Sequence, residues 1–167
     1  MIGAGPTVSS GAPPDSTVHL DADGLLASAR ALRDASRSQR REALLRGKYI
    51  AMLGGGPDAE VELFQGAAAE LGARVTRVAT GLSGDSADKE VSDVAGMLGR
   101  LYDAVDCNGL PAGIAQRLAD AAKVPVFERL ASPAHPTARL AELLGPEAAP
   151  GENRRFVLQA ALIGALS

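Results

Sequence analysis

The sequence predicts an α/β fold, a three-layer arrangement with a parallel sheet flanked by helices, and three observations predict it. Short apolar runs alternate along the chain with longer stripes of helical period, in the order βαβαβαβα, which favours parallel pairing through helical crossovers. Glycines or polar loops close most of these segments, as at Gly54-Gly55-Gly56 and Gly72. Hydrophobic residues make up 46% of the 167 residues but aromatic ones only 3%. The core must therefore be built from Ala, Val and Leu, as helix-on-sheet packing commonly is. This length suits one domain with one core.

Residues Met1 to Ser16 are rich in Gly, Pro and Ser without periodicity, which predicts a flexible tail. A domain is expected over residues 17–145. Its first helix carries Leu25, Leu26, Ala29, Leu32 and Leu44 at near-helical spacing, with the basic run Arg37 to Arg41 on a solvated face. Lys48 to Leu53 reads as the first strand. Val61, Phe64, Ala67, Ala68 and Leu71 then share a helical stripe that Gly72 closes. Val75 to Ala79 reads as strand, and Val91, Val94, Ala95, Leu98 and Leu101 as one face of a helix. Ala104 to Cys107 is a strand, Pro111 to Ala122 a helix, and Val124 to Phe127 a strand. His135-Pro136 opens a helix through Leu144, with Pro136 suited to the first turn. Residues 146–152 read as a linker. Asn153 to Ser167 is a helix apolar on most sides, so it should be buried against the domain or a partner.

Bulk properties exclude several functions. A net charge of −3 and a pI near 5.4 argue against nucleic acid, whose partners usually carry a basic patch. Cys107 is the only cysteine, so no internal disulfide forms and a cytoplasmic location is expected. The N-terminus has no signal-peptide pattern. The apolar run from Phe156 to Leu166 is too short for a membrane span, which needs roughly 20 residues. Gly54-Gly55-Gly56 has neither dinucleotide-fingerprint spacing nor a following Lys-Ser/Thr, so no nucleotide cofactor is expected. No triad, zinc spacing or carboxylate pair stands out, and no metal is expected. His19 has no acidic or cysteine partners in metal-like spacing and reads as a surface or packing residue.

Several strings, in order, resemble the ornithine and aspartate carbamoyltransferase family. Leu45-Arg-Gly-Lys48 is similar to the lead-in to its carbamoyl phosphate loop. Phe64-Gln65, Ala67-Ala68 and Leu71-Gly72 resemble the helix after that loop, and Asp93-Val94-Ala95 with Leu98 a later one. Lys123-Val-Pro-Val126, Ser132 and His135-Pro136-Thr137-Ala138-Arg139 resemble the stretch ending in the family's His-Pro-x-Gln. Glu152-Asn153-Arg154-Arg155 resembles the start of its last helix. The resemblance implies one α/β domain that assembles as trimers. It also implies that residues 146–152 stand where a complete member has its amino-acid-binding domain.

The resemblance further implies a Ser-Thr-Arg-Thr-Arg loop at a helix N-terminus, where arginines and backbone N–H groups hold a phosphate dianion. Here that place reads Gly54-Gly55-Gly56-Pro57-Asp58-Ala59-Glu60-Val61-Glu62, with no arginine. The Arg-Thr pair after the third strand falls at Asn108-Gly109, the glutamine at Ala138, and a lysine lent by a neighbouring subunit near Ala87. Lys89 falls where the family usually has Glu. His135, which the family aims at the carbamoyl oxygen, is retained, and it also reads as a residue that orients the loop and caps the following helix. Cys107 reads as a buried structural thiol rather than a reactive one.

Candidate ligand-binding positions are therefore Gly55, Gly56, Asp58, Ala59, Glu60, Asn108 and His135, with His135 a vestigial catalytic candidate. The leading expectation is a catalytically inactive carbamoyltransferase-like protein acting in assembly or regulation. It would form a homotrimer or join a complete carbamoyltransferase. The alternatives are a sensor of a small cationic or neutral metabolite using the remodelled loop, and a fragment active only with a partner chain.

Overall fold

The computed structural model describes residues 20–40 and 42–167. The expected tail over residues 1–16, His19 and Arg41 lie outside the described residues. Four parallel strands, β1 (Tyr49–Leu53), β2 (Arg74–Val78), β3 (Ala104–Cys107) and β4 (Val126–Glu128), form one sheet in the order β2-β1-β3-β4. The register sets Ile50 beside Val75 and Ala104, and Cys107 beside Leu53 and Glu128. Six helices connect or cover the strands: α1 (Ala22–Arg37), α2 (Asp58–Glu70), α3 (Asp88–Leu101), α4 (Ile114–Ala121), α5 (Ala138–Leu143) and α6 (Pro150–Leu166).

Alternation of side chains across the strands divides the core into two layers. Ile50, Met52, Ala104 and Phe127 meet α1, α2, α5 and α6 on one face. Ala51, Leu53, Val105, Cys107 and Val126 meet α3 and α4 on the other. The three-layer α/β expectation holds. Strands β1 and β3 are central and almost wholly buried, whereas edge strand β2 is half-exposed along its length.

Several boundaries differ from the sequence reading, each for a local reason. Strand β2 runs one residue earlier than expected, and β4 starts two later, at Val126. Helix α4 begins at Ile114 rather than Pro111 because Gly113 takes the left-handed conformation (φ +81°) ahead of it. His135-Pro136 does not open α5, which starts at Ala138. Residues Ser132 to Ala138 instead make successive tight turns, with His135 N donating to Ser132 O (3.0 Å) and Ala138 N to His135 O (2.9 Å). Helix α1 stops at Arg37, so Leu44 is not on its stripe and stands 49% exposed.

The expected linker is shorter than residues 146–152, because α6 starts at Pro150, suited to its first turn. Helix α1 ties this connection down. Arg33 Nη1 donates to Leu144 O (2.5 Å), Arg37 Nη2 to Glu147 O (2.7 Å), and Asn153 Nδ2 closes it by donating to Gly145 O (2.9 Å). Arg37 makes this contact while remaining exposed, in keeping with the solvated-face reading of the basic run. Helix α6 is buried along most of its length, as expected, against α1, α2 and α5. No described helix is long and apolar enough to cross a membrane.

Candidate functional site

The loops after β1, β3 and β4 meet at the carboxyl end of the sheet, where open α/β sheets bind ligands. Between β1 and α2 the chain turns at Gly54, whose φ of +94° suits glycine alone and whose missing side chain leaves room for Asn108 O. Gly56 N donates to that same carbonyl at 3.1 Å, stapling the two loops together. A Cβ on Gly56 would lie 2.0 Å from Asn108 Oδ1, so the Asn108 amide already fills the space beside the loop. Asn108 is 2% exposed, and its Oδ1 is buried without a hydrogen-bond partner.

Helix α2 begins at Asp58, behind Pro57, with no side chain capping it. Asp58 and Glu60 stand in its first turn, where carboxylates complement the helix dipole by about 0.3–1 kcal/mol each. Glu60 does more than that. Its side chain is turned inward, 9% exposed, and Oε1 accepts from Arg129 Nη2 at 2.8 Å. Glu60 Oε2 and Arg129 Nε are buried with no partner. Arg129 follows β4 directly, in a left-handed conformation rare for a non-glycine residue (φ +50°).

Asp106 lies among the same groups. It is 1% exposed in the middle of the sheet, and its Oδ1 accepts from Leu130 N at 3.1 Å, fixing the turn that carries Arg129. Burial pushes its carboxyl up to about 7, opposed by the Leu130 hydrogen bond, raised further by Glu60 and lowered by Arg129. One guanidinium thus pairs with Glu60 and acts on Asp106 through its charge alone, at the base of the loops. Asp106 and Arg129 were not among the residues chosen from the sequence. A charged residue inside the apolar strand Ala-Val-Asp-Cys is the signal that could have found Asp106.

His135 sits apart from the glycine loop. It lines a cleft of about 340 Å³ beside β4 with Leu20, Phe127, Glu128, Arg129 and Ser132, and no other candidate residue borders it. Its Nδ1 lies 2.8 Å from Thr137 Oγ1 and accepts from Thr137 N at 3.2 Å. It therefore orients the turn, as one sequence reading held, but it does not cap α5, whose N-cap is Thr137. Burial first, then the charge of Arg154, lower its pKa to about 4. Arg154 is itself 8% exposed and donates to Leu130 O, to Ser132 O (3.4 Å) and to Thr137 Oγ1 (3.2 Å).

The candidates therefore divide. Gly56 and Asn108 pack together, with Gly55 and Asp58 on either side of that contact. Glu60 faces Arg129 instead of the loop, and Ala59 and Glu60 border a separate groove of about 470 Å³ between α2, α5 and α6. Cys107, at the end of β3, is 1% exposed, and burial pushes its thiol up to about 12, as an inert structural cysteine requires. Lys89 lies within α3 and pairs with Asp93 at 2.8 Å, while Ala87 is that helix's N-cap.

Known proteins match this architecture. A family model described as aspartate/ornithine carbamoyltransferase, carbamoyl-P binding domain, matches residues 16–145. An ornithine carbamoyltransferase of Haemophilus influenzae is 36% identical over 121 residues, which cover 72% of this chain and 36% of that protein. The chain thus spans about a third of the length of the curated relatives it matches. Among solved structures, ornithine carbamoyltransferase from Burkholderia thailandensis superposes with a TM-score of 0.61 at 22% identity, covering 74% of this chain and 43% of that one. The enzyme from Pyrococcus furiosus gives 0.61 at 23%, covering 74% and 40%. The catalytic subunit of M. jannaschii aspartate transcarbamoylase gives 0.57 at 25%, covering 74% and 41%. By the family match and the fold together, this chain belongs to the aspartate/ornithine carbamoyltransferase family through its carbamoyl-phosphate-binding domain.

Proposed function

We propose that this protein is a carbamoyltransferase homologue that does not bind carbamoyl phosphate and acts in assembly or regulation. The observation that carries this reading is Glu60, whose carboxylate sits buried in the first turn of α2 and engages Arg129. A phosphate dianion at that helix start would meet Asp58 on a loop without arginines, Arg129 is taken up by Glu60, and the space beside Gly56 holds the Asn108 amide. Each unit charge at about 4 Å is worth on the order of 4 kcal/mol at an effective dielectric of ~20. Losing two attractions of that size outweighs what the backbone N–H groups of one helix terminus return.

The domain division supports the same reading. Only Leu144 to Ala149 join α5 to α6, and both flanking helices pack on one domain, so residues between them have no room for an amino-acid-binding domain. Assembly would use the family's trimer surface, in a homotrimer or beside a complete carbamoyltransferase. Incubation with carbamoyl phosphate and ornithine or aspartate should yield no citrulline or carbamoylaspartate, and native mass measurement should show a trimer. Turnover that His135→Ala abolishes would refute inactivity, and a monomer would refute the assembly role.

A second reading, a small-metabolite sensor, moves from the remodelled loop, where the Asn108 amide fills the space beside Gly56, to the cleft beside β4, where His135, Arg129 and Ser132 surround an open volume of about 340 Å³. Calorimetry against phosphate, carbamoyl phosphate and basic amino acids separates the two. A third reading, a fragment completed by a partner chain, draws on the short span of the relatives covered. Co-purification of a chain that restores turnover would establish it.

A further inference from the structure

The turn between β4 and α5 determines which nitrogen of His135 carries its proton. Thr137 N lies 3.2 Å from Nδ1, and a backbone amide can only donate, so Nδ1 is the bare nitrogen and the ring proton is on Nε2. Thr137 Oγ1, 2.8 Å from the same Nδ1, could by itself donate or accept. With Nδ1 bare, the hydroxyl must donate to it. Arg154 Nη1 donates to Thr137 Oγ1 at 3.2 Å, which occupies one lone pair and holds the hydroxyl in place for that donation.

We propose that Arg154, in the first turns of α6, is a positioning residue for His135: acting through Thr137, it holds the ring as the neutral Nε2–H tautomer. Three further facts make this relay rigid. Arg154 is 8% exposed and Thr137 4%, so neither swings away into solvent. The same guanidinium grips Leu130 O and Ser132 O, so the turn and the relay are held by one group. Nε2 has no protein partner among the described residues, and the ring borders the cleft beside β4. The charged groups around it are Arg154 on α6 and, along the cleft, Glu128 and Arg129 at the end of β4.

The ring thus offers the cleft a hydrogen-bond donor and no acceptor. A ligand at that position must bring an acceptor, such as a carbonyl or carboxylate oxygen, and an ammonium group is excluded from the ring. This consequence rests on the sensor reading, whereas the tautomer itself stands with or without a ligand.

Nitrogen-15 NMR of the full chain at neutral pH reads the tautomer directly, with His135→Gln identifying the signals. The wild-type ring should show an unprotonated Nδ1 and a protonated Nε2. Arg154→Lys keeps the charge but loses the fork, and Thr137→Val removes the hydroxyl without changing shape. Each should raise the Nδ1–H population about fivefold, the worth of one neutral hydrogen bond. Thr137→Ser should restore the wild-type signals. Should Arg154→Lys fail to fold, the Thr137 pair carries the test alone. A wild-type ring protonated at Nδ1, or a Thr137→Val ring unchanged from wild type, would overturn the proposal. Ligand binding plays no part in this readout, so its outcome is separate from that of the sensor reading.

Discussion

Gly56→Ala places a methyl group where the Asn108 amide already lies. The added Cβ would stand 2.0 Å from Oδ1, 2.5 Å from Cγ and 2.8 Å from Nδ2, all well inside contact distance. Asn108 is 2% exposed, so relieving the clash means displacing a buried side chain or the loop, at about 1–3 kcal/mol. Asn108→Ala removes the obstacle together with a buried oxygen that has no partner, so its own cost is small, about 1 kcal/mol. The double variant should then be more stable than the sum of the two predicts, by about 1–2 kcal/mol of coupling. Gly54→Ala provides the contrast. Its Cβ would lie 2.3 Å from the Asn108 backbone oxygen at a φ of +94°, and no change of side chain at position 108 relieves that. Urea unfolding of wild type, the three single variants and the two double variants with Asn108→Ala gives both cycles. Additivity of Gly56→Ala with Asn108→Ala, or rescue of Gly54→Ala, would refute the packing that fills this loop.

Two further outcomes follow from the buried groups. Folding raises the Asp106 carboxyl from 3.8 to about 7, so the folded protein holds a proton that the unfolded chain has lost between those values. Stability from this residue must therefore fall as pH rises from about 4 to 7 and level off above, by an order-of-magnitude 4 kcal/mol at ~1.36 kcal/mol per tenfold in proton affinity. Asp106→Asn keeps an acceptor for Leu130 N and removes this penalty, so it should be the more stable protein above pH 7 and converge with wild type near pH 4. An Asp106→Asn protein less stable than wild type at pH 8 would contradict the cause assigned to the shift. Cys107, buried with its thiol near 12, should resist a thiol-specific disulfide reagent in the folded protein and react fully once unfolded. Rapid labelling under native conditions would contradict its burial.

Periodicity carried most of the fold, because Val, Leu and Ala recur with different spacing in strands and helices. Positions such as Val91, Ala95 and Leu98 lie on the buried face that the pattern placed them on. Boundaries failed where a particular backbone state intervened. Gly113 is left-handed for a reason local to its turn, and the Ser132 to Ala138 turns are held by Arg154, which arrives from a helix distant in sequence. The site was legible only in part. Loss of arginines between Gly54 and Glu62 could be read directly, as could the carboxylates at the helix start. What Glu60 faces could not, since its partner Arg129 comes from another strand end 69 residues away. Asp106 was hidden because its strand reads as core, and its neighbours arrive only with the sheet.

Calorimetric titration of the purified chain with carbamoyl phosphate tests the central claim most directly, with a complete ornithine carbamoyltransferase measured alongside. No saturable heat is expected at millimolar ligand, because the loop carries Asp58 and no arginine, Glu60 takes up Arg129, and Asn108 fills the space beside Gly56. Saturable binding that Asn108→Ala or Arg129→Met abolishes would contradict it, and would place a working anion site in this loop.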